Sequence, residues 1–572
     1  MTAVRTCIGA MVIAIIGILS PVASAQTSIE IPAEIRKHVP KDAFLLVYAP
    51  SMQKLLNAVS GTGASINPQF GMMVQMAPQM MSMDMFQHET GAPVQLDMDA
   101  PAAVAVATGP TGPMGNPAIT IMVGVKSDRT GLKTSMPNGR VVPIEGSSLV
   151  MVTDVPASMP MGASDTLLQN VPAGDISISF DQATFVKQYG PMIDMMMAMA
   201  GGMGGPGQDP QAQAMQAQLK QAMAQIKTLM GMFQSWDMAM TFNGKFVETT
   251  VRWVLTNPAD KATGSADLAK YTGVMMPKSA MSAAMSKSML ECMMSMQEGF
   301  QSPNLPAATQ DAMKKIFDLA RVTMGVIDSS MGMSMGIDKT GLWCLQMMNV
   351  SDPEAYLKDT NEALTALSDA GLGFEVSNLK LVDASGTGYA LKIDAEKMMS
   401  SFGVPAMGKQ EMAMIESVVK AMMGGDVGLQ IRYLHQGDKM AIVIGRYGQA
   451  IGRAKQILSG RYDGDPNTLD ALISTSEGSP TMVMMMDMRQ MIGDVLSFLH
   501  TVPALQADKD FMREIPDGTP AGDPVLFDAK CTSMSKGGQC VINMNIGDFA
   551  GMMEAMDDAL RAKKRQQAAM AN

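Results

Sequence analysis

The chain has 572 residues, 47% of them hydrophobic and 5% aromatic, and its 43 Lys and Arg stand against 54 Asp and Glu for a net charge of −11. A chain of that length predicts two to four domains with sizeable cores. The acidic balance excludes nucleic acid and anionic membrane surfaces as partners, and the low aromatic content argues against sugar-stacking platforms.

In chain order, the first feature is Arg5 followed by an apolar run over residues 7–19, then Pro21 and the small residues Ala23 and Ala25. Charged, apolar, then small-x-small is the order of a secretory signal peptide. The run is too short to cross a bilayer. The expectations are a cleaved segment 1–25, a mature chain from Gln26 with no membrane span after processing, and an exported, periplasmic or extracellular destination.

Alternating apolar residues predict half-buried strands at 175–180, 238–242, 333–337, 429–433 and 542–546, each with one wet face, as in antiparallel sheets. A helix is predicted over 211–233, where Met215, Leu219, Ala222, Ile226, Met230 and Phe233 share one stripe. The Gly-rich segment 201–207 before it lacks the Lys-Ser/Thr ending of a phosphate cradle and reads as a loop. Pro40, Pro172, Pro277 and Pro480 each open a short strand that runs on into a helix-like segment, and Asn243-Gly244 marks a hairpin. The predicted fold is α+β: tandem repeated modules of antiparallel sheet covered by amphipathic helices. A duplication is expected, with halves 26–270 (sub-modules 26–165 and 166–270) and 271–572 (sub-modules 271–470 and 471–572).

The opening Val39-Pro40-Lys41-Asp42-Ala43-Phe44-Leu45-Leu46-Val47-Tyr48, with Val171-Pro172-Ala173-Gly174-Asp175, resembles a group of exported bacterial proteins defined only by a domain of unknown function. The resemblance implies the Pro-x-Asp, strand, helix architecture and no site residues.

Chemistry is sparse. There is no Gly-x-Ser-x-Gly elbow and no His-Glu-x-x-His, and His38, His88, His435 and His500 are scattered singly, as surface or helix-end residues. Asp463-Gly464-Asp465 begins like a calcium loop, but Thr468 and Ser474 stand where glycine and glutamate are required. Arg561, Lys563, Lys564 and Arg565 follow acidic residues and read as the end of a helix.

Once Cys7 is removed, Cys292, Cys344, Cys531 and Cys540 remain, an even number in a compartment that permits disulfides. A loop over 534–537 would set Cys531 opposite Cys540 within bridging distance, whereas a turn at Gly537-Gly538 would set Cys531 opposite Met544. Cys292 with Cys344 follows by elimination. Methionine is the outstanding feature, at 65 residues, clustered at 72–85, 192–199 and 482–488. Thioethers suit Cu(I), and Met80, Met81, Met83 and Met85 are the candidate ligands because Pro78 breaks their periodic pattern. Methionine is also a flexible core filler, the reading expected for Met230, Met238, Met240 and Met544, which keep phase with ordinary apolar residues.

The function read from the sequence is an exported non-enzymatic binding or structural protein, with no cofactor and with an unknown protein or cell-envelope component as partner. The alternatives are a Met-rich protein that binds Cu(I) or buffers oxidant, and an unrecognised exported enzyme.

Overall fold

The computed structural model describes residues 28–571, apart from 67–68, 70–71, 77–85, 110–116, 137, 163–166, 168–170, 203–230, 258–261, 266, 277, 300–310, 312–313, 315–317, 323, 370–372, 380–385, 395, 398–408, 461–467 and 475–478. The signal segment 1–25, most of the helix expected over 211–233, the Asp463 loop and Met80, Met81, Met83 and Met85 lie outside the described residues. The fold is mixed α+β, with extensive antiparallel pairing. Two compact units divide the chain: one comprises 23–261 and 534–550, the other chiefly 262–533 with 551–572. The segment 534–550, which the sequence reading kept with the second half, belongs to the first unit.

The first unit contains β1 (Leu45–Ala49), β2 (Ala102–Ala107), β3 (Ala118–Val125), β4 (Arg140–Pro143), β5 (Leu149–Thr153), β6 (Ile176–Asp181), β7 (Phe233–Asn243) and β8 (Phe246–Leu255). They pair antiparallel in the order β4-β5-β3-β2-β1-β6-β7-β8. Residues Gly537–Asn545, a late strand, add to the open side of β8. Phe233, expected at the end of a helix, opens β7 instead.

The second unit contains β9 (Met281–Ser286), β10 (Ile327–Asp338), β11 (Gly341–Val350), β12 (Phe374–Leu379), β13 (Gly386–Ile393), β14 (Leu429–Gln436), β15 (Lys439–Ile444), β16 (Pro480–Asp487) and β17 (Leu526–Met534), with Gly537–Asn545 numbered β18. The order is β12-β13-β14-β15-β11-β10-β9-β16-β17, again antiparallel. Pro480 sits at the first position of its strand, where a missing N–H is tolerated.

Four strands lead into helices, β6 into α2 (Gln182–Gly202), β9 into α3 (Lys287–Gly299) and β16 into α4 (Met488–Leu499) without a break and β1 into α1 (Met52–Ile66) after Pro50 and Ser51. Each junction is made the same way. Ser51, Asp181, Ser286 and Asp487 each accept the backbone N–H three residues on, from Lys54 at 3.2 Å, Thr184 at 2.8 Å, Met289 at 3.3 Å and Gln490 at 3.2 Å. Such a side chain satisfies an orphan donor of the first turn and is worth about 1 kcal/mol.

The expectation of one wet face per strand is corrected. In β6 the buried residues are Ser177, Ser179 and Asp181, while Ile176, Ile178 and Phe180 are half-buried. In β10 Ser334 is buried and Met333 and Met335 are half-buried, and every residue of β9 is buried. Small hydroxyls bury cheaply when they meet each other, and Ser282 meets Ser334 at 2.6 Å as Thr120 meets Thr153 at 2.8 Å. The apolar side of β6 and β7 packs under α2, whose Phe185 and Tyr189 join Phe44, Phe180 and Trp236 in one aromatic cluster. In the second unit, Ala450, Ala454 and Ile457 of α5 (Gly448–Leu458) cover Trp343, Leu345 and Val443.

Candidate functional site

No disulfide occurs among the described residues, in which Cys344, Cys531 and Cys540 are buried and Cys292 is half-buried. Cys344 on β11 has Met335 and Ile444 as its cross-strand neighbours, so no cysteine faces it, and Cys292 lies on α3. The chain turns at Ser535-Lys536, inside the loop expected over 534–537 and not at Gly537-Gly538. Burial pushes the Cys344 thiol up to about 12, which keeps it protonated and unreactive.

The inward placement expected for Met544 is wrong. It is 39% exposed, and Met238 and Met240 are half-buried, because the inward side of these strands is the polar one. Three of the histidines make local hydrogen bonds: His38 Nδ1 meets the Glu34 carbonyl at 2.6 Å, His88 meets Thr90, and His500 Nε2 meets the Pro516 carbonyl at 3.1 Å. The basic stretch is likewise engaged. Lys563 Nζ donates to the Ile515 carbonyl and Asp517, Lys564 to Glu514, and Arg561 to Asp557.

The polar side of the first unit carries a buried row that sequence reasoning missed. Register places Ser179, Asp237, Arg252 and Gln539 side by side across β6, β7, β8 and β18. The Ser179 hydroxyl donates to Asp237, Arg252 Nε donates to Gln539 Oε1, and Arg252 Nη1 donates to Ser28 Oγ at 2.8 Å. Asp237 is 2% and Arg252 6% exposed. Burial raises the Asp237 carboxyl to about 6, against the opposing pull of the Ser179 hydroxyl and the Arg252 charge, and burial lowers the Arg252 guanidinium.

A raised carboxyl has a defined sign in stability. Between about pH 4 and pH 6 the folded state holds a proton that the unfolded chain has released, so this group's contribution is complete below about pH 4 and is lost as pH rises through 6. Asp237→Asn is therefore expected to remove part of the fall in stability over that window. Urea midpoints at pH 4.5, 5.5 and 7 check it, and an unchanged pH slope in the variant would refute the assignment.

A cleft of about 490 Å³ opens in the second unit where β12 begins and β13 ends. Glu375 comes from β12, Lys392 from β13, and Asp394 and Lys397 from the segment after it, while Glu416 and Lys420 come from α6 (Lys409–Met422). Asp426 completes the ring from a turn built on Gly424, Gly425 and Gly428, all at positive φ. A Cβ at Gly428 would lie 2.6 Å from the Leu391 carbonyl oxygen, so only glycine lets this turn close onto β13. Lys420 Nζ and Asp426 Oδ1 are 2.6 Å apart. Lys420 holds the Asp426 carboxyl below its ordinary range, helped by Lys392, and Asp426 holds the Lys420 ammonium above its own, helped by Glu416.

Among the described residues no group of three or more His, Cys, Asp and Glu stands together to hold a metal ion, and no helix is long and apolar enough to cross a membrane. No family model and no curated protein matches the chain. Two solved structures, crystal forms III and IV of TP0453, are similar to part of it at 9% identity, with TM-scores of 0.20 and 0.21 over 50% and 52% of this chain and 98% of theirs. At those TM-scores the likeness carries no argument.

Proposed function

We propose that the chain is an exported, non-enzymatic binding protein that takes a small ligand bearing both an ammonium and a carboxylate, such as a short peptide, into the cleft between Glu375, Lys392, Glu416, Lys420 and Asp426. The observation that carries this reading is the lining of the cleft, which brings the carboxylates of Glu375, Asp394, Glu416 and Asp426 together with the ammonium groups of Lys392, Lys397 and Lys420. A general acid or base works best with its pKa near the ambient pH. Here Asp426 is pushed down and Lys420 up, so this pair presents fixed charges of both signs instead of a transferable proton. A volume of about 490 Å³ lies within the range of small-molecule sites.

The same reading takes the chain as four tandem modules, each a strand, a capped helix and a following strand pair. What supports it is the common junction at Ser51, Asp181, Ser286 and Asp487, together with the antiparallel neighbours β1 with β6 and β9 with β16 at the middle of their units.

Titration calorimetry with trialanine tests the binding claim. Binding is expected with free termini, is expected to be lost when both termini are blocked, and should weaken at raised salt because the charges are exposed. Lys392→Ala should weaken it roughly tenfold, the scale of a lost hydrogen bond to a charged group. Equal binding of the blocked peptide would contradict the reading.

A further inference from the structure

Strands β16, β9 and β10 are consecutive neighbours, and their registers align three rows. Met482, Met285 and Met331 form the first, Met484, Ala283 and Met333 the second, Met486, Met281 and Met335 the third. Alternation places residues two apart on the same side of a strand. These nine residues therefore tile one face of the sheet, and Ala283 at the centre is surrounded by methionine at all eight neighbouring positions. Met482, Met484, Met486, Met281 and Met285 are 0–5% exposed, Met331 is 9% exposed, and Met333 and Met335 are half-buried.

Opposed residues on neighbouring strands lie about 4.5–5.5 Å apart at Cα, and the unbranched methionine side chain has three rotatable bonds, so several sulfurs can lean over the small central methyl. Strand cores ordinarily use β-branched residues, which are stiff and pack well on the pleat. This patch instead puts soft, neutral sulfur donors around one small side chain, Ala283. One of those sulfurs already acts as a lone-pair donor: Gln346 Nε2 donates to Met333 Sδ at 4.0 Å.

We propose that the patch over Ala283 is a binding site for Cu(I), held by methionine thioethers. Soft thioethers select Cu(I) over hard cations, which require oxygen ligands. A monovalent ion is also the least costly charge to bury among neutral donors. Met333 and Met335, the two partly exposed members, form the entrance. Thioethers carry no proton to displace, so ligation by methionine alone is insensitive to pH, whereas recruitment of a flanking thiol, Cys344 beside Met335 or Cys531 beside Met482, would release a proton.

The test is anaerobic titration of the full processed chain with Cu(I) against a competing chelator, with X-ray absorption of the loaded protein. The expected result is one Cu(I) per chain, coordinated by sulfur alone, with affinity unchanged between pH 5.5 and 7.5. Met333→Leu with Met335→Leu nearly conserves volume and should weaken binding at least roughly tenfold. Ala283→Leu removes no sulfur but adds bulk at the centre of the eight methionines, and should abolish binding; if that variant fails to fold, the methionine pair still decides. Changing Met80, Met81, Met83 and Met85 to Leu should leave binding intact. Failure to retain copper against the chelator, nitrogen or oxygen ligation, or loss of copper only in the Met80 to Met85 variant would overturn the proposal.

Discussion

Arg252→Met is expected to destabilise the first unit by about 1–3 kcal/mol or more, the cost of leaving buried polar groups without the charged group they face. Arg252 is 6% exposed and lies directly across from Asp237 on β7 and Gln539 on β18. Its loss leaves the Asp237 carboxyl buried without a countercharge and removes the donors to Gln539 and Ser28. Replacing both members, Asp237→Leu with Arg252→Met, should recover most of the loss, because a well-packed apolar pair avoids the desolvation of two charges. Urea unfolding followed by tryptophan fluorescence reads the effect. Of the three tryptophans, Trp236 and Trp253 lie in the first unit and Trp343 in the second, so a Trp343→Phe background isolates the first unit's transition. A double variant no better than the single one would refute the pairing.

Trp343→Ala should cost the second unit about 3–5 kcal/mol, the range for truncating a large buried aromatic. Trp343 is 1% exposed, stacks on Tyr447 with ring centroids 4.7 Å apart, and packs with Leu345, Leu434, Val443 and Ala454. Its indole lies over Gly336 on the neighbouring strand, where a Cβ would come within 2.8 Å of the ring. Gly336→Ala should therefore reproduce part of the loss by displacing the indole. The Trp236 and Trp253 signal gives the control: the first unit's transition should stay in place when Trp343 is replaced. If the second unit's transition also stays in place by circular dichroism, the indole does not hold that core together.

Period-two alternation is a local property, and the strands at 175–180, 238–242, 333–337 and 429–433 could be read from it. Which side of each strand is buried could not. Ser179 is buried because Asp237 accepts its hydrogen bond, and Ser282 because Ser334 stands across from it, partners 58 and 52 residues away in the chain. The methionine patch shows the same limit. Met482, Met484 and Met486 alternate visibly in the sequence, but their placement beside Met281, Met285, Met331, Met333 and Met335 is set by the registers of three strands. The cleft had still less signal. Glu375, Lys392, Lys420 and Asp426 form no spaced motif, and the glycines that bring Asp426 back toward β13 are set by positive φ and close backbone contact.

The binding claim is tested most directly by hydrogen exchange of the chain with and without saturating trialanine. The account predicts slower exchange confined to residues 373–375, 392–394 and 416–428, the segments that line the cleft. Protection elsewhere, or none at a peptide concentration that saturates the calorimetric signal, would contradict it.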